Sequence, residues 1–182
     1  MDFNNAKIVN LANNIKTKDG IPTIVTNTGS MWGKGNSCSD IILFPPKYRK
    51  VSIELSLDLF PQFDGEQAGV VLFVDSDNYV KFVREMVSQK HVLVLAKELA
   101  GKPASEIRIP FESSRTNLKL KIEPSLITIF WNNDDLTVAG EKEYPNWLEQ
   151  SSEFQIGLFT HGQNPNNEAT FYSLSIDGAT WI

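Results

Sequence analysis

Residues 65–87 read GEQAGVVLFVDSDNYVKFVREMV: an apolar run, a short Asp/Ser/Asn turn, then a second apolar run threaded with Lys81, Arg84 and Glu85. The run AGVVLFV is apolar throughout, which is the character of a strand covered on both faces. DSDN supplies residues that tolerate tight-turn dihedrals and bond back to their own backbone. YVKFVREMV carries two periodicities. Val80, Val83, Met86 and Val87 fit a helix, whereas the β-branched content and the turn just before it favour a strand. We read a strand, because its partner directly precedes it and a hairpin closes cheaply. In that hairpin Tyr79, Lys81 and Glu85 share one face.

The rest of the chain extends the pattern outward. VSIELSLDL (51–59) alternates strictly, with Val51, Ile53, Leu55, Leu57 and Leu59 on one side and Ser52, Glu54, Ser56 and Asp58 on the other. Further short runs follow at HVLVLAKEL, EIRIPF, NLKLKIE, SLITIFW, EFQIGLFT and ATFYSLSI, separated by turn signals at GKPAS, EPS, NNDD and HGQNPNNE. TIVT and DIILF are weaker strand candidates. NWLEQ (146–150) and the N-terminal NAKIVNLANNIK (5–16) are the only stretches read as helical turns. Strands at this spacing with no intervening helices predict an all-β, antiparallel two-sheet sandwich, one domain over residues 1–182.

Bulk composition excludes several functions. The apolar fraction of 41% and charged fraction of 21% are those of an ordinary globular domain. Net charge is −5, and Lys and Arg are scattered with nothing denser than PPKYRK (45–50), so no nucleic-acid partner is expected. No run approaches the ~18 apolar residues of a membrane span, so no membrane partner is expected either. Cys38 is the single cysteine and rules out an intrachain disulfide. With no signal-peptide pattern at the N-terminus, the expected location is cytoplasmic.

Several segments together resemble a known family. FDGEQAGVVLFVDSDNYVKFVRE is similar to the signature hairpin of concanavalin A-like jelly rolls. The nearest types are the C-terminal sandwich modules of glycoside hydrolase family 43 β-xylosidases and a related uncharacterised single-domain family. The matching residues are Gln67, Ala68, Gly69, Asp77, Asn78, Tyr79, Lys81 and Glu85. FQIGLFTHGQNPNNEATFYSLSI resembles the same families' closing pair at Gly157, Ala169 and Phe171. TGSMWGKG resembles their early Trp-containing loop, with Ser30 where an Asp is often found. The resemblance covers about residues 28–177 and implies a concanavalin A-like jelly roll. It implies little about activity, because that fold hosts lectins, glycanases and inert scaffolds.

Candidate site residues come from chemistry. Lys81 and Glu85 lie ~13 Å apart along a strand at ~3.3 Å per residue, so each needs a cross-strand partner, water or a ligand. With Tyr79 they form either a polar row for sugar hydroxyls or a solvated ladder of weak ion pairs. The planar amide of Gln67 suits vicinal hydroxyls, or equally ties down PQFDGE. Of four tryptophans, Trp131 reads as core and Trp181 as a cover for the sandwich end. Trp32 and Trp147 sit in loops and are the stacking candidates. His161 opens a polar loop as a possible ligand contact or a loop-bound ring.

Two histidines and no HExxH or CxxC pattern exclude a multi-histidine zinc site. The turns DSDN and NNDD offer clustered oxygens for calcium, but hairpin chemistry explains both, and neither a metal nor a cofactor is expected. Nucleophile elbows, P-loops and GxGxxG runs are absent. ELSLD and EKEYP lack the compact carboxylate spacing of glycanases on this fold. The expected function is a non-catalytic module binding a carbohydrate on its concave sheet through Gln67, Tyr79, Lys81, Glu85, Trp32 and His161. The alternative is an intracellular sandwich that engages a protein partner or acts in regulation. A glycoside hydrolase assembled from distant carboxylates ranks third.

Overall fold

The computed structural model describes residues 7–9, 15–18, 21–26, 29–35, 41–149, 153–162 and 167–182. Cys38 and the middle of the HGQNPNNE loop lie outside these residues. In chain order the strands are β1 (Lys7–Val9), β2 (Ile15–Lys18), β3 (Ile21–Val25), β4 (Ile41–Tyr48), β5 (Val51–Asp58), β6 (Gln67–Asp75), β7 (Asn78–Val87) and β8 (Lys90–Leu99). They continue as β9 (Lys102–Pro110), β10 (Arg115–Ile122), β11 (Leu126–Asn132), β12 (Ala139–Pro145), β13 (Phe154–His161), β14 (Glu168–Ile176) and β15 (Ala179–Thr180). Two antiparallel sheets result. One runs β1-β4-β13-β6-β7-β8-β9, the other β12-β11-β10-β5-β14-β3-β2 with β15 appended to β14. This is the antiparallel two-sheet sandwich that the patterning predicts, and it is consistent with the jelly roll that the resemblance implies.

The hairpin forms as read. β6 pairs with β7 from Gln67↔Glu85 to Asp75↔Asn78, and the turn closes with Asp75 Oδ1 accepting from Asp77 N at 2.8 Å and Asn78 Nδ2 at 2.9 Å. Those oxygens serve the turn. The continuous apolar run of β6 has its cause here: Val70 and Leu72 enter the core between the sheets, while Val71 joins a second cluster on the outer face of the seven-stranded sheet. β5 alternates as predicted, its odd positions in the core and Glu54 paired outward with Lys119 at 2.7 Å.

Two expectations are corrected, and one strand is added to those read from sequence. The N-terminal stretch holds strands, not a helical turn, at Lys7–Val9 and Ile15–Lys18, because their backbones complete the edges beside β4 and β3. GKPAS is mostly strand: the turn is confined to Ala100 and Gly101, both at positive φ, and β9 starts at Lys102. β12 escapes sequence reading because an edge strand with one paired side needs no apolar alternation; AGEKEYP has charged residues on both faces. Near NWLEQ, Asn146 Oδ1 accepts from Leu148 N at 3.0 Å and forms a single polar turn.

Candidate functional site

The three charges of β7 take three different places. Arg84 points between the sheets, fully buried. Its guanidinium donates to the carbonyls of Ser113 (3.2 Å), Glu85 (3.3 Å) and Val92 (3.2 Å), over the Phe111 ring. Burial lowers its pKa to about 10 against the opposing pull of Glu112. Lys81 and Glu85 project the other way, from the outer face of the seven-stranded sheet, into a cavity of about 340 Å³. Arg84 is therefore a structural plug, and the cavity belongs to its neighbours.

Registry across β13, β6 and β7 explains who lines that cavity. Gln67 lies opposite both His161 and Glu85, so three polar side chains form one row across three strands. Lys81 stands four residues from Glu85 on the same face. A segment at 29–35 crosses above them and brings Trp32, 44% exposed, to the rim. Ser105 and Arg108 from β9 complete the far wall.

Lys81 is 3% exposed and forms the floor. Its ammonium donates to Gln67 Oε1 at 2.8 Å and to the Met31 carbonyl at 3.3 Å. It lies 5.4 Å from the Phe159 ring centroid and 5.7 Å from that of Trp32. Two of its three N–H donors are thus taken. Burial pulls its pKa down, and the carboxylates of Glu85 and Glu98 push it back up.

Glu85 differs. Its carboxylate lines the cavity and makes no side-chain hydrogen bond or ion pair among the described residues. Burial raises its pKa, with Lys81 and Arg108 opposing through space and Asp64 adding to the rise. His161 Nδ1 lies 3.1 Å from the Gly65 carbonyl, which can only accept, so the neutral ring carries its proton there and presents Nε2 as an acceptor. Nε2 is buried without a partner. Burial lowers the His161 pKa, the Gly65 bond opposes this, and nearby Lys81 lowers it further. One wall of the cavity therefore holds two acceptors in need of a donor, beside an ammonium with one N–H to spare.

Of the six residues singled out from sequence, Gln67, Lys81, Glu85, His161 and Trp32 line this one cavity. Tyr79 lies beneath it. It is fully buried, with its hydroxyl 2.5 Å from the Met31 carbonyl and 2.7 Å from Glu98 Oε2. It supports the site from below and does not line it. Sequence reading missed Glu98, Arg108 and the Met31 carbonyl. Glu98 had a detectable signal, since it continues the alternation Val92, Val94, Ala96 that faces this side of the sheet, where a carboxylate is out of place. The other tryptophans are anchored. Trp131 is core, Trp181 packs edge-on against Phe44 at 5.2 Å, and Trp147 lies under the Lys97 ammonium at 4.2 Å and beside Tyr144.

A larger groove of about 540 Å³ crosses the outer face of the eight-stranded sheet, lined by Ser56, Asn117, Lys119, Phe130 and Ser173 among others. Its charged and amide groups answer one another. Lys119 pairs with Glu54, and Asn117 Nδ2 donates to Asn132 Oδ1 at 2.9 Å. Volume favours this groove, but unanswered polar atoms favour the smaller cavity, and recognition chemistry needs the latter.

The model of the family described as Beta xylosidase C-terminal Concanavalin A-like domain matches residues 47–177. No curated protein sequence matches the chain. Among solved structures, a functionally unknown protein from Saccharomyces cerevisiae superposes with TM-score 0.76 at 12% identity, covering 97% of each chain. A glycoside hydrolase family 43 protein from Bacillus licheniformis gives TM-score 0.74 at 14% identity over 89% of this chain and 34% of its own. A xylan β-1,4-xylosidase from Bacillus halodurans gives 0.72 at 14% identity over 88% of this chain and 33% of its own. The chain thus spans about a third of these bacterial proteins, and the likeness is one of fold.

Proposed function

The chain belongs to the family of β-xylosidase C-terminal concanavalin A-like domains, and from that premise we propose that it is a non-catalytic module that binds a neutral sugar in the cavity between Trp32, Lys81 and Glu85. The observation that carries this reading is the half-buried, unpartnered carboxylate of Glu85 beside an ammonium that retains one free donor. A hydroxyl both donates and accepts, so a vicinal diol satisfies both groups at once. A ligand carboxylate would meet Glu85 as a like charge, and a ligand ammonium would meet Lys81 and Arg108. Neutral polyols are thus favoured over uronic acids and amino sugars. The cavity lies near the lower end of the ~300–1,000 Å³ typical of small-ligand sites, and the exposed Trp32 ring supplies a flat face for a sugar ring.

Hydrolysis gains no support from the same cavity. Glycoside cleavage uses two carboxyl groups ~5–10 Å apart across the bond, and Glu85 is the single carboxylate among the described residues lining it. The protein-partner reading draws on Phe60 and Phe63, about half exposed on the loop before β6. Calorimetric and NMR titration with xylose, glucose, short xylo-oligosaccharides, glucuronic acid and glucosamine separates the possibilities. Saturable binding of a neutral sugar that is lost in Glu85→Ala and in Lys81→Ala is the expected result. Silence from every neutral sugar ends this reading.

A further inference from the structure

The segment that carries Trp32 is pinned from below by a buried acidic group with no place in the sugar contacts themselves. Glu98 is fully buried on β8, opposite Tyr79 on β7. Its Oε2 accepts from the Gly33 amide at 2.8 Å and from the Tyr79 hydroxyl at 2.7 Å. That hydroxyl is also 2.5 Å from the Met31 carbonyl, which Lys81 reaches at 3.3 Å. Side chains of the sheet thus hold the peptide groups on both sides of Trp32. We propose that Glu98, with Tyr79 as its partner, is a positioning residue that straps residues 29–35 across β7 and β8 and thereby sets Trp32 over the cavity. Its consequence for binding rests on the sugar reading above; the strap itself rests on geometry alone.

Energetics favour a positional role. Oε1 of Glu98 is buried with no hydrogen-bond partner, and a carboxylate left half-satisfied in an apolar surround costs stability. Continuing the row of Val92, Val94 and Ala96 with one more apolar residue would pack this spot at lower cost. What an apolar residue cannot do is receive the Gly33 amide. Gly33 itself stands at φ +61°, a conformation side chains disfavour, and a β-carbon there would lie 3.5 Å from Pro103. The backbone therefore turns onto the sheet at the point where Glu98 meets it.

Amide hydrogen exchange of the sugar-free protein tests the strap directly. In Glu98→Leu the Gly33 amide is expected to exchange at least about tenfold faster, while amides of β6 stay protected. Tyr79→Phe, which removes one oxygen, shifts it in the same direction by less. Glu98→Gln restores part of the protection, since its amide oxygen still accepts. Xylose titration of the same variants should show affinity falling in the same order, at least about fivefold for Glu98→Leu. Glu85→Ala should abolish binding and leave Gly33 exchange unchanged. Should Glu98→Leu fail to fold, Tyr79→Phe and Glu98→Gln decide the matter. The proposal is overturned if Gly33 exchanges in the wild type at the rate of an open loop. It is equally overturned if the variants leave that rate unchanged, or if Gly33 loosens while xylose affinity holds. A wild type that binds no sugar yet shows the Gly33 response would remove the sugar reading and leave the strap standing.

Discussion

Replacing Lys81 by methionine separates a ligand-binding role from a structural one. The substitution keeps an unbranched stem between the Trp32 and Phe159 rings and deletes the buried charge. On the destabilising side, Gln67 Oε1 loses its 2.8 Å donor, and an unsatisfied buried acceptor costs about 1–3 kcal/mol. The Met31 carbonyl loses its 3.3 Å contact with Lys81 but still lies 2.5 Å from the Tyr79 hydroxyl, whose one proton it shares with Glu98 Oε2. The two cation–ring contacts, at ~0.5–1 kcal/mol each, are also lost. On the stabilising side, a nearly fully buried ammonium no longer has to be desolvated, a penalty of several kcal/mol in real proteins (~2–4 after partial compensation). These terms partly offset, so folding stability should change by no more than a gain of about 2 or a loss of about 3 kcal/mol, read as the midpoint shift in urea denaturation. Binding has no such offset. A charge-assisted hydrogen bond to a sugar hydroxyl contributes about 1.5–3 kcal/mol, so Kd by calorimetry should rise roughly 10- to 150-fold. Stability falling by more than about 4 kcal/mol, or an unchanged Kd, would refute the reasoning and make Lys81 a pillar of the fold.

Three further outcomes are expected. Burial raises the Glu85 pKa, so the folded state holds that proton more tightly than the unfolded chain, in which the value is ~4.3. Ionisation therefore costs some stability as pH rises through this window, while the carboxylate needed to accept a sugar hydroxyl appears. Affinity followed by calorimetry from about pH 4 to 8 should accordingly rise and level off; a flat or falling profile contradicts the role of Glu85. Trp32→Ala removes an exposed ring, so urea midpoints should barely move while affinity drops by roughly 0.5–1.5 kcal/mol; equal affinity would show that the ring does not stack on the ligand. Gly69→Ala places a β-carbon 2.3 Å from the Phe82 carbonyl oxygen and 2.8 Å from Val83 Cα. Backbone must then move, and a loss of at least about 1–3 kcal/mol in chemical denaturation is expected.

Strand identity was legible because it is a local property. Alternation in β5 and the turn chemistry of DSDN each need only neighbouring residues, and the placement of Lys81 and Glu85 on one face follows from the period of two. Edge strands were less so. β12 buries too little to impress a pattern on its sequence, and β1 and β2 are short pieces, β1 set against the distant β4 and β2 against the neighbouring β3.

The candidate site divides along the same line. Its row of Gln67, Glu85 and His161 joins three strands from two distant parts of the chain, a registry that no local pattern encodes. Nothing local distinguished Tyr79 from Lys81 either, two residues apart on one face. One is sealed beneath the 29–35 segment by Met31 and Glu98, while the other reaches the cavity floor. Sequence by itself determined the sandwich, the hairpin and the set of polar side chains available to one face. Tertiary structure alone decided which of those groups are answered by other protein atoms and which are left facing a cavity, because burial and hydrogen-bond satisfaction depend on what packs above a strand, and that neighbour comes from elsewhere in the chain.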